Sequence, residues 1–249
     1  LLILDELHKM PHWKNYLKGL FDTKLPSLKI LVTGSARLDT FQHVGDSLVG
    51  RFFRHRLLPF SLVELKEHHT HYDIEHFIVR GGFPEPFLAE TEIEANRWRQ
   101  HYSEGLLRVD ALDQGGIQNL RTLQMIFELL RRRVGSPVSY ASIARDVGTS
   151  PNTVIKYIQI LEALYIVFTV TPYSTNIARS ILKEPKIYFY DNGMVIGDPG
   201  ILFENWVAMS LLKHIYGRMD YLGENWTLKY LRTKEGQEVD FCLVKDENI

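Results

Sequence analysis

The chain opens with four apolar residues followed by two acids, Leu1-Leu2-Ile3-Leu4-Asp5-Glu6. A second apolar run, Lys29-Ile30-Leu31-Val32-Thr33, ends at Gly34, and the residues between the runs predict a helix over Trp13 to Phe21. Apolar runs without polar alternation are typical of parallel strands whose faces are covered by helices. The opening therefore predicts an α/β layer built on a parallel sheet.

Asp5 and Glu6 stand at the carboxyl end of the first predicted strand. In P-loop ATPases an aspartate at this place holds Mg²⁺, directly or through water, and the next glutamate orients or deprotonates the attacking water. The second strand ends in Thr33-Gly34-Ser35, where such ATPases keep a small polar residue that senses the γ-phosphate. The alternative is an acidic pair that only begins the loop after a strand.

A phosphate-binding loop of the form Gly-x-x-x-x-Gly-Lys-Ser/Thr does not occur in the 249 residues. Because the backbone N–H groups and the lysine of that loop cradle the phosphates, we expect no useful ATP binding by this chain alone. The chain starts at Leu1, directly on a strand, and we expect it to be the C-terminal part of a longer protein.

The composition restricts the class of protein. The chain has 29 Lys and Arg against 30 Asp and Glu, 45% hydrophobic residues and one cysteine, Cys242. These values argue against a disordered chain and a disulfide framework. No apolar run approaches the roughly 18 residues needed to span a bilayer. We predict a cytoplasmic protein with no membrane partner.

Turn-forming segments divide the rest of the chain. One helix is predicted from Leu62 to His76, and Gly81 to Pro86 is predicted to be a linker. After a second break come three helices with apolar spacings of three and four, and then two strand-like segments, an order typical of a winged helix-turn-helix. We predict a partial ATPase core over 1–80, a helical linker region over 81–117, a winged helix-turn-helix over 118–195 and a partial nuclease-like α/β domain over 196–249.

Eight short motifs follow one another along almost the whole chain: Leu4 to Trp13, Val32 to Ser35, Gly50-Arg51, Leu58 to Ser61, Gly81 to Glu85, Lys186 to Gly193, Phe203 to Asn205 and Glu238 to Phe241. The first four resemble the second half of a prokaryotic AAA-type P-loop ATPase core. The other four resemble the C-terminal region found in the same family. In such a family the Walker A loop lies upstream of the position of Leu1.

This resemblance implies ATP and Mg²⁺ as cofactors and a Walker B pair formed by Asp5 and Glu6. It also implies Thr33 or Ser35 as the sensor. Arg51 becomes a candidate catalytic arginine that one copy of a homo-oligomer supplies to the next. Arg54 and Arg56 lie equally close in the sequence.

The predicted helix-turn-helix segment is basic. Between Gln118 and Leu161, six basic side chains against two acidic ones give a local charge of +4. In helix-turn-helix proteins the second helix enters the major groove by its N-terminal residues, and nearby basic groups contact phosphates. The candidate residues for binding double-stranded DNA are Arg132, Asn152, Thr153 and Lys156. The alternative is a winged helix that packs against protein.

Two carboxylates near the end of the chain are candidate metal ligands. Glu204 lies on a predicted helix, and Asp240 follows Glu238 on a predicted strand. This arrangement is similar to the restriction-endonuclease-like fold, in which such acids bind Mg²⁺ and a later Glu-x-Lys completes the site. No Glu-x-Lys occurs between Asp240 and Ile249, so a structural remnant of that fold is at least as well supported.

The function predicted for a longer protein containing this chain is ATP hydrolysis coupled to DNA or partner binding through the winged helix. One alternative is a DNA-binding regulator in which the ATPase part is only structural. The other is a metal-dependent nuclease.

Overall fold

The computed structural model describes residues 1–34, 48, 50–67, 72–105, 119–174, 184–233 and 235–246. These residues form a mixed α/β protein with two small sheets. The chain divides into two compact units, Leu1–His55 and Arg56–Ile249. Ser35, the second candidate sensor residue, lies outside the described residues.

The first unit contains a two-stranded parallel sheet. Strand β1 (Leu2–Leu4) pairs with β2 (Ile30–Val32), and helix α1 (Trp13–Thr23) connects them, which confirms the predicted strand–helix–strand order. Ile3 lies opposite Leu31, so the two side chains share one face of the sheet. They are 58% and 48% exposed, and this apolar face is therefore open to solvent.

The second unit contains eight helices and four strands among its described residues. The elements are α2 (Leu62–Glu67), α3 (Ile74–Arg80), α4 (Pro84–Leu88), α5 (Glu92–Gly105), α6 (Leu120–Arg131), α7 (Tyr140–Val147), α8 (Pro151–Ala163), β3 (Val167–Pro172), β4 (Lys186–Phe189), α9 (Pro199–Leu222), β5 (Trp226–Arg232) and β6 (Glu238–Lys245), with a short 3₁₀ turn at Asn192–Met194.

Helices α6, α7 and α8 pack together on one apolar core. The predicted spacing on α8 is confirmed, because Val154, Ile158 and Leu161 are all buried in that core. Local capping fixes where this helix begins: the Ser150 side chain accepts a hydrogen bond from the backbone N–H of Thr153 at 3.1 Å. The three-helix group is followed by the antiparallel pair β3 and β4.

The four strands of this unit form one sheet in the order β4-β3-β5-β6. β3 runs antiparallel to β4 and parallel to β5, with Thr171 opposite Lys229, and β5 runs antiparallel to β6. The sheet therefore joins strands from both sides of the predicted boundary between 118–195 and 196–249. The finer identities of these ranges, winged helix and restriction-endonuclease-like domain, stay predictions.

The 24-residue helix α9 is the longest described element and packs on the sheet and on α3. Two ion pairs attach the beginning of the unit to it. Arg56 binds Asp220, with Nη2 at 2.6 Å from Oδ1, and its guanidinium group lies 3.5 Å from the centre of the Tyr216 ring. Lys213 Nζ lies 2.5 Å from Glu64 Oε2, which holds α2.

Two local predictions differ from the structure. The single helix predicted from Leu62 to His76 is replaced by α2 and α3, with residues 68–71 outside the described residues. Asp73 begins α3, because its carboxylate accepts a hydrogen bond from the backbone N–H of His76 at 2.9 Å. Gly81 and Gly82, predicted to lie in a linker, are buried against other parts of the second unit.

Candidate functional site

The first candidate site lies at the carboxyl edge of the β1/β2 sheet. Because the two strands are parallel, the residues that follow them, Asp5 and Thr33, come to the same edge. The Thr33 hydroxyl donates a hydrogen bond to Asp5 Oδ1, and both residues are exposed. The structure thus brings together an acid and a hydroxyl group that lie 28 positions apart in the sequence.

Glu6 lies beside this pair in an uncommon backbone conformation. Its φ of 51° and ψ of 33° are in the left-handed region, which non-glycine residues rarely adopt. Its carboxylate is paired with Lys9, with Oε2 at 2.9 Å from Nζ, across the 3₁₀ turn Leu7–Lys9. The predicted catalytic glutamate is therefore close to the strand end and already engaged by a cation.

Arg51, the candidate for supply in trans, is paired within its own unit. Its Nε donates to Asp22 Oδ1 on α1 at 3.2 Å. Both side chains are partly exposed, so this is a surface salt bridge. Such pairs contribute roughly 0 to 1 kcal/mol to the free energy of unfolding.

The second candidate site is a cluster of three carboxylates around one lysine. Lys186 Nζ lies 2.5 Å from Glu238 Oε1, 2.8 Å from Asp240 Oδ1 and 3.7 Å from Glu204 Oε1. Strand alternation explains why Glu238 and Asp240 share a face of β6, and α9 supplies Glu204. The structure therefore brings the two predicted ligands, Glu204 and Asp240, to the same place.

Neighbouring groups hold Glu204 in position. The Tyr188 hydroxyl donates to Glu204 Oε1 at 2.7 Å. Gly135 stands on the other side, and a Cβ at that position would lie only 2.6 Å from the same oxygen. Any side chain at Gly135 would displace the carboxylate, and its φ of 75° also favours glycine.

Lys186 keeps its positive charge although its side chain is buried. Burial alone would lower the pKa of Lys186, but hydrogen bonds to Asp240 and Glu238 outweigh it and raise that pKa above its ordinary value. Burial and the adjacent Glu204 carboxylate raise the pKa of Tyr188 strongly, so its hydroxyl stays a neutral donor. The site is therefore an ammonium ion surrounded by carboxylates.

A divalent metal ion does not fit this arrangement. The ammonium group lies between the three carboxylates, where a bound metal ion would have to be. Among the described residues, no group of three or more His, Cys, Asp or Glu side chains is placed to hold a metal ion. Lys186 is the residue that sequence reasoning missed; the available signal was a lysine that begins the apolar run Ile187-Tyr188-Phe189.

A buried polar network lies at the carboxyl end of β4. Asn205 on α9 is fully buried, accepting from the backbone N–H of Phe189 at 2.8 Å and donating to the carbonyl of the same residue at 3.1 Å. It also donates to Asn192 Oδ1 at 2.9 Å, and Asn192 donates to the carbonyl of Ile78 on α3 at 2.7 Å. This network connects the strand, the long helix and α3.

Asp191 and Arg99 lie next to this network, and each has a buried polar atom without a hydrogen-bond partner among the described residues. Asp191 Oδ1 accepts from the backbone N–H of Gly82 at 3.1 Å, while Oδ2 lies 4.0 Å from Arg99 Nε. Both Oδ2 and Nε are buried, and neither has a hydrogen-bond partner within the described part of the chain. Burial raises the pKa of Asp191 to about 6. Gly81 leaves room for the carboxylate, because an added Cβ would be 1.7 Å from Oδ1.

The predicted DNA-binding residues differ in their exposure and contacts. Arg132, Asn152 and Lys156 are exposed, the latter two on the N-terminal half of α8. Thr153 takes part in the helix cap, with its hydroxyl 2.9 Å from that of Ser150. The structure therefore leaves three of the four predicted side chains accessible.

Comparisons with known proteins place the chain in a family. Residues 1–66 match a family model described as an AAA domain, which indicates an ATPase-like N-terminal part. Residues 71–197, about half of the chain, match a family described as a domain of unknown function, DUF8612. The chain belongs to this DUF8612 family.

Relatives occur in bacteria and archaea. An uncharacterized protein of Mycobacterium tuberculosis is 26% identical over 195 residues, which cover 78% of this chain and 43% of that protein. The uncharacterized protein MJ1544 of Methanocaldococcus jannaschii is 22% identical, with 97% of this chain and 58% of that protein covered. An uncharacterized protein of Haemophilus influenzae is 24% identical, with 99% and 63% covered.

The chain thus spans about half the length of the curated relatives it matches. No solved structure matches it significantly. None of the described helices is both long enough and apolar enough to cross a membrane.

Proposed function

We propose that residues 1–66 provide the hydrolytic part of an AAA-type ATPase site that uses ATP and Mg²⁺. The hydrogen bond from the Thr33 hydroxyl to the Asp5 carboxylate, at the carboxyl edge of two parallel strands, carries this proposal. Ligands of open α/β sheets bind outside the carboxyl ends of the strands. The match of the same residues to an AAA domain supports it.

The residues at this edge fit the proposed cofactor in part. Asp5 offers exposed carboxylate oxygens, the ligand type that Mg²⁺ prefers, and Thr33 orients one of them. The bound ion would neutralise charge on the phosphates. Because the chain has no Gly-x-x-x-x-Gly-Lys-Ser/Thr loop, the phosphates are held by sequence outside this chain.

In this proposal, Glu6 orients the attacking water, and Arg51 stabilises charge at the site of a neighbouring copy. Each role requires an exchange of partner. Glu6 must release Lys9, and Arg51 must release Asp22. Both pairs are partly exposed and therefore weak enough to be replaced by a nucleotide-dependent contact.

The test is the substitution Glu6→Gln in the full-length protein that carries this chain and a phosphate-binding loop. Hydrolysis should decrease by about 100-fold or more, while nucleotide binding is retained, since only the water-activating carboxylate is lost. Glu104→Gln, at an exposed position on α5, is the matched control and should hydrolyse normally. Equal hydrolysis rates in the two variants would remove Glu6 from the catalytic role.

A second function is supported by the exposure of Arg132 at the C-terminal end of α6 and of Asn152 and Lys156 on α8. On α8, Asn152 and Lys156 are one turn apart, while Val154 and Ile158 face the core, so the polar face of this helix is accessible. We infer that these three residues form a surface that binds double-stranded DNA, Arg132 and Lys156 through phosphates and Asn152 at a base edge.

The double substitution Arg132→Glu and Lys156→Glu should weaken duplex binding and flatten its dependence on salt concentration. Each phosphate contact that is lost reduces the salt slope by about one unit. The double reversal Lys66→Glu and Arg97→Glu, at exposed positions on α2 and α5, is the control for net charge. Fluorescence anisotropy with a labelled duplex over a salt series measures both quantities. A slope shared by the double variant and the control would contradict binding at this surface.

A further inference from the structure

The cluster formed by Lys186, Glu204, Glu238 and Asp240 has an internal cation where the sequence predicted a metal ion. Metal–oxygen distances in Mg²⁺ and Ca²⁺ sites are about 2.0 to 2.6 Å. Glu238 Oε1 and Asp240 Oδ1 lie 2.5 and 2.8 Å from Lys186 Nζ. The oxygen atoms that a metal ion would need are therefore already bound to the lysine.

The lysine is held too firmly to be a mobile surface chain. Lys186 is only 1% exposed and stands on the fully buried strand β4. The aromatic ring of Tyr230 lies 5.5 Å from its Nζ, which adds a cation–π contact. Moving the ammonium group out would leave Glu204 and Glu238, whose side chains are only about a quarter exposed, without their shared cation, at an electrostatic cost.

The carboxylates have additional partners that keep them in this orientation. Glu204 receives the Tyr188 hydroxyl at 2.7 Å, and Glu238 Oε2 lies 3.8 Å from Arg232 Nε. The cluster is therefore complete without an added ion, and it ties together β4, β6 and α9.

We propose that Lys186 is the resident cation of this cluster, replacing a divalent metal ion, and that the carboxylates rearrange to bind a divalent cation once its ammonium group is removed. The three carboxylates then keep only the Arg232 guanidinium group, beside Glu238, as a counter-charge, and their oxygen atoms are ligands of the type that suits Mg²⁺ or Mn²⁺. This inference is independent of the ATPase and DNA-binding proposals.

The experiment compares the wild-type chain with Lys186→Met, which keeps most of the side-chain length and removes the charge. Thermal unfolding is followed with and without millimolar Mn²⁺, and Mn²⁺ binding is measured by electron paramagnetic resonance. Lys186→Met should unfold about 10 °C below the wild type and recover part of this loss with Mn²⁺. The wild type should show no such dependence.

Two further variants separate this inference from a general loss of stability or a general response to Mn²⁺. Adding Asp240→Asn to Lys186→Met should abolish the recovery with Mn²⁺. Lys229→Met, which removes another sheet lysine whose Nζ is bonded to Thr171 at 2.6 Å, should lower stability without creating a response to Mn²⁺.

Wild-type binding of Mn²⁺ that disappears in Asp240→Asn would overturn the proposal, and this measurement does not depend on the folding of Lys186→Met. The proposal would also fail if Lys186→Met folded and its unfolding were unaffected by Mn²⁺.

Discussion

Replacing Asp191 with asparagine should change how the stability of this protein depends on pH. The Asp191 side chain is fully buried, and its Oδ2 lies 4.0 Å from Arg99 Nε, beyond hydrogen-bond distance. Burial raises the pKa of this carboxyl group from 3.8 to about 6, although Arg99 and the backbone N–H of Gly82 oppose the increase. Arg99 is also shared with Glu92, at 3.4 Å.

The sign of the effect follows from proton linkage. A carboxyl group with a raised pKa binds its proton more tightly in the folded state than in the unfolded state. Its contribution to the free energy of unfolding is therefore complete below the unfolded pKa of 3.8 and is lost as pH rises through about 6. A difference of about two pKa units corresponds to about 3 kcal/mol.

Urea denaturation of the wild type and Asp191→Asn at a series of pH values measures this contribution. The free energy of unfolding of the wild type minus that of the variant should increase by about 2 kcal/mol from neutral pH to about pH 4, because the amide does not titrate. Asp146→Asn removes an exposed acid paired with Arg133, and its difference should change by less than about 1 kcal/mol. A difference for Asp191→Asn that stayed constant over this range would refute the burial argument.

Three other substitutions test the packing of the second unit. Gly81→Ala should destabilise the protein by about 3 kcal/mol or more, because Gly81 has a φ of 72° and the new Cβ would overlap the Asp191 carboxylate. Gly217→Ala should instead stabilise the protein by about 1 kcal/mol, because the position lies inside α9 and no atom lies within 4 Å of the added Cβ. Urea denaturation measures the change in the free energy of unfolding, and a change of the same sign in both glycine variants would contradict this account. Arg56→Met should cost about 3 kcal/mol, because the nearly buried Asp220 carboxylate loses the guanidinium group that it binds. In thermal unfolding, the double variant Arg56→Met, Asp220→Met should recover stability, and a larger loss there would disprove the pairing argument.

The local parts of the fold were predictable from the sequence. Apolar spacings of three and four identified the buried face of α8, and uniform apolar runs identified β1 and β2 as parallel strands. Parallel pairing also led directly to the proximity of Asp5 and Thr33, because both residues follow a strand. The roles assigned to these residues and to Glu6 stay predictions.

The partners of the buried charges were not predictable in the same way. Lys186 and Asp240 lie 54 positions apart, and Asp191 and the backbone of Gly82 lie 109 positions apart. No spacing rule connects such residues, since they meet only after the sheet and α9 have packed. The sequence therefore suggested a metal site at Glu204 and Asp240 without showing the lysine between them.

The sequence by itself determined the strands β1 and β2, the buried face of α8 and which strand ends carry acids, because periodicity and capping act over a few neighbouring residues. Only the tertiary structure decided what each acid faces. Asp5 meets a hydroxyl group, Glu204 and Asp240 meet an ammonium ion, and Asp191 is buried beside a guanidinium group that it does not reach. The reason is physical: a charge removed from water must be compensated by whatever group packing brings to it, and that group comes from a distant part of the chain.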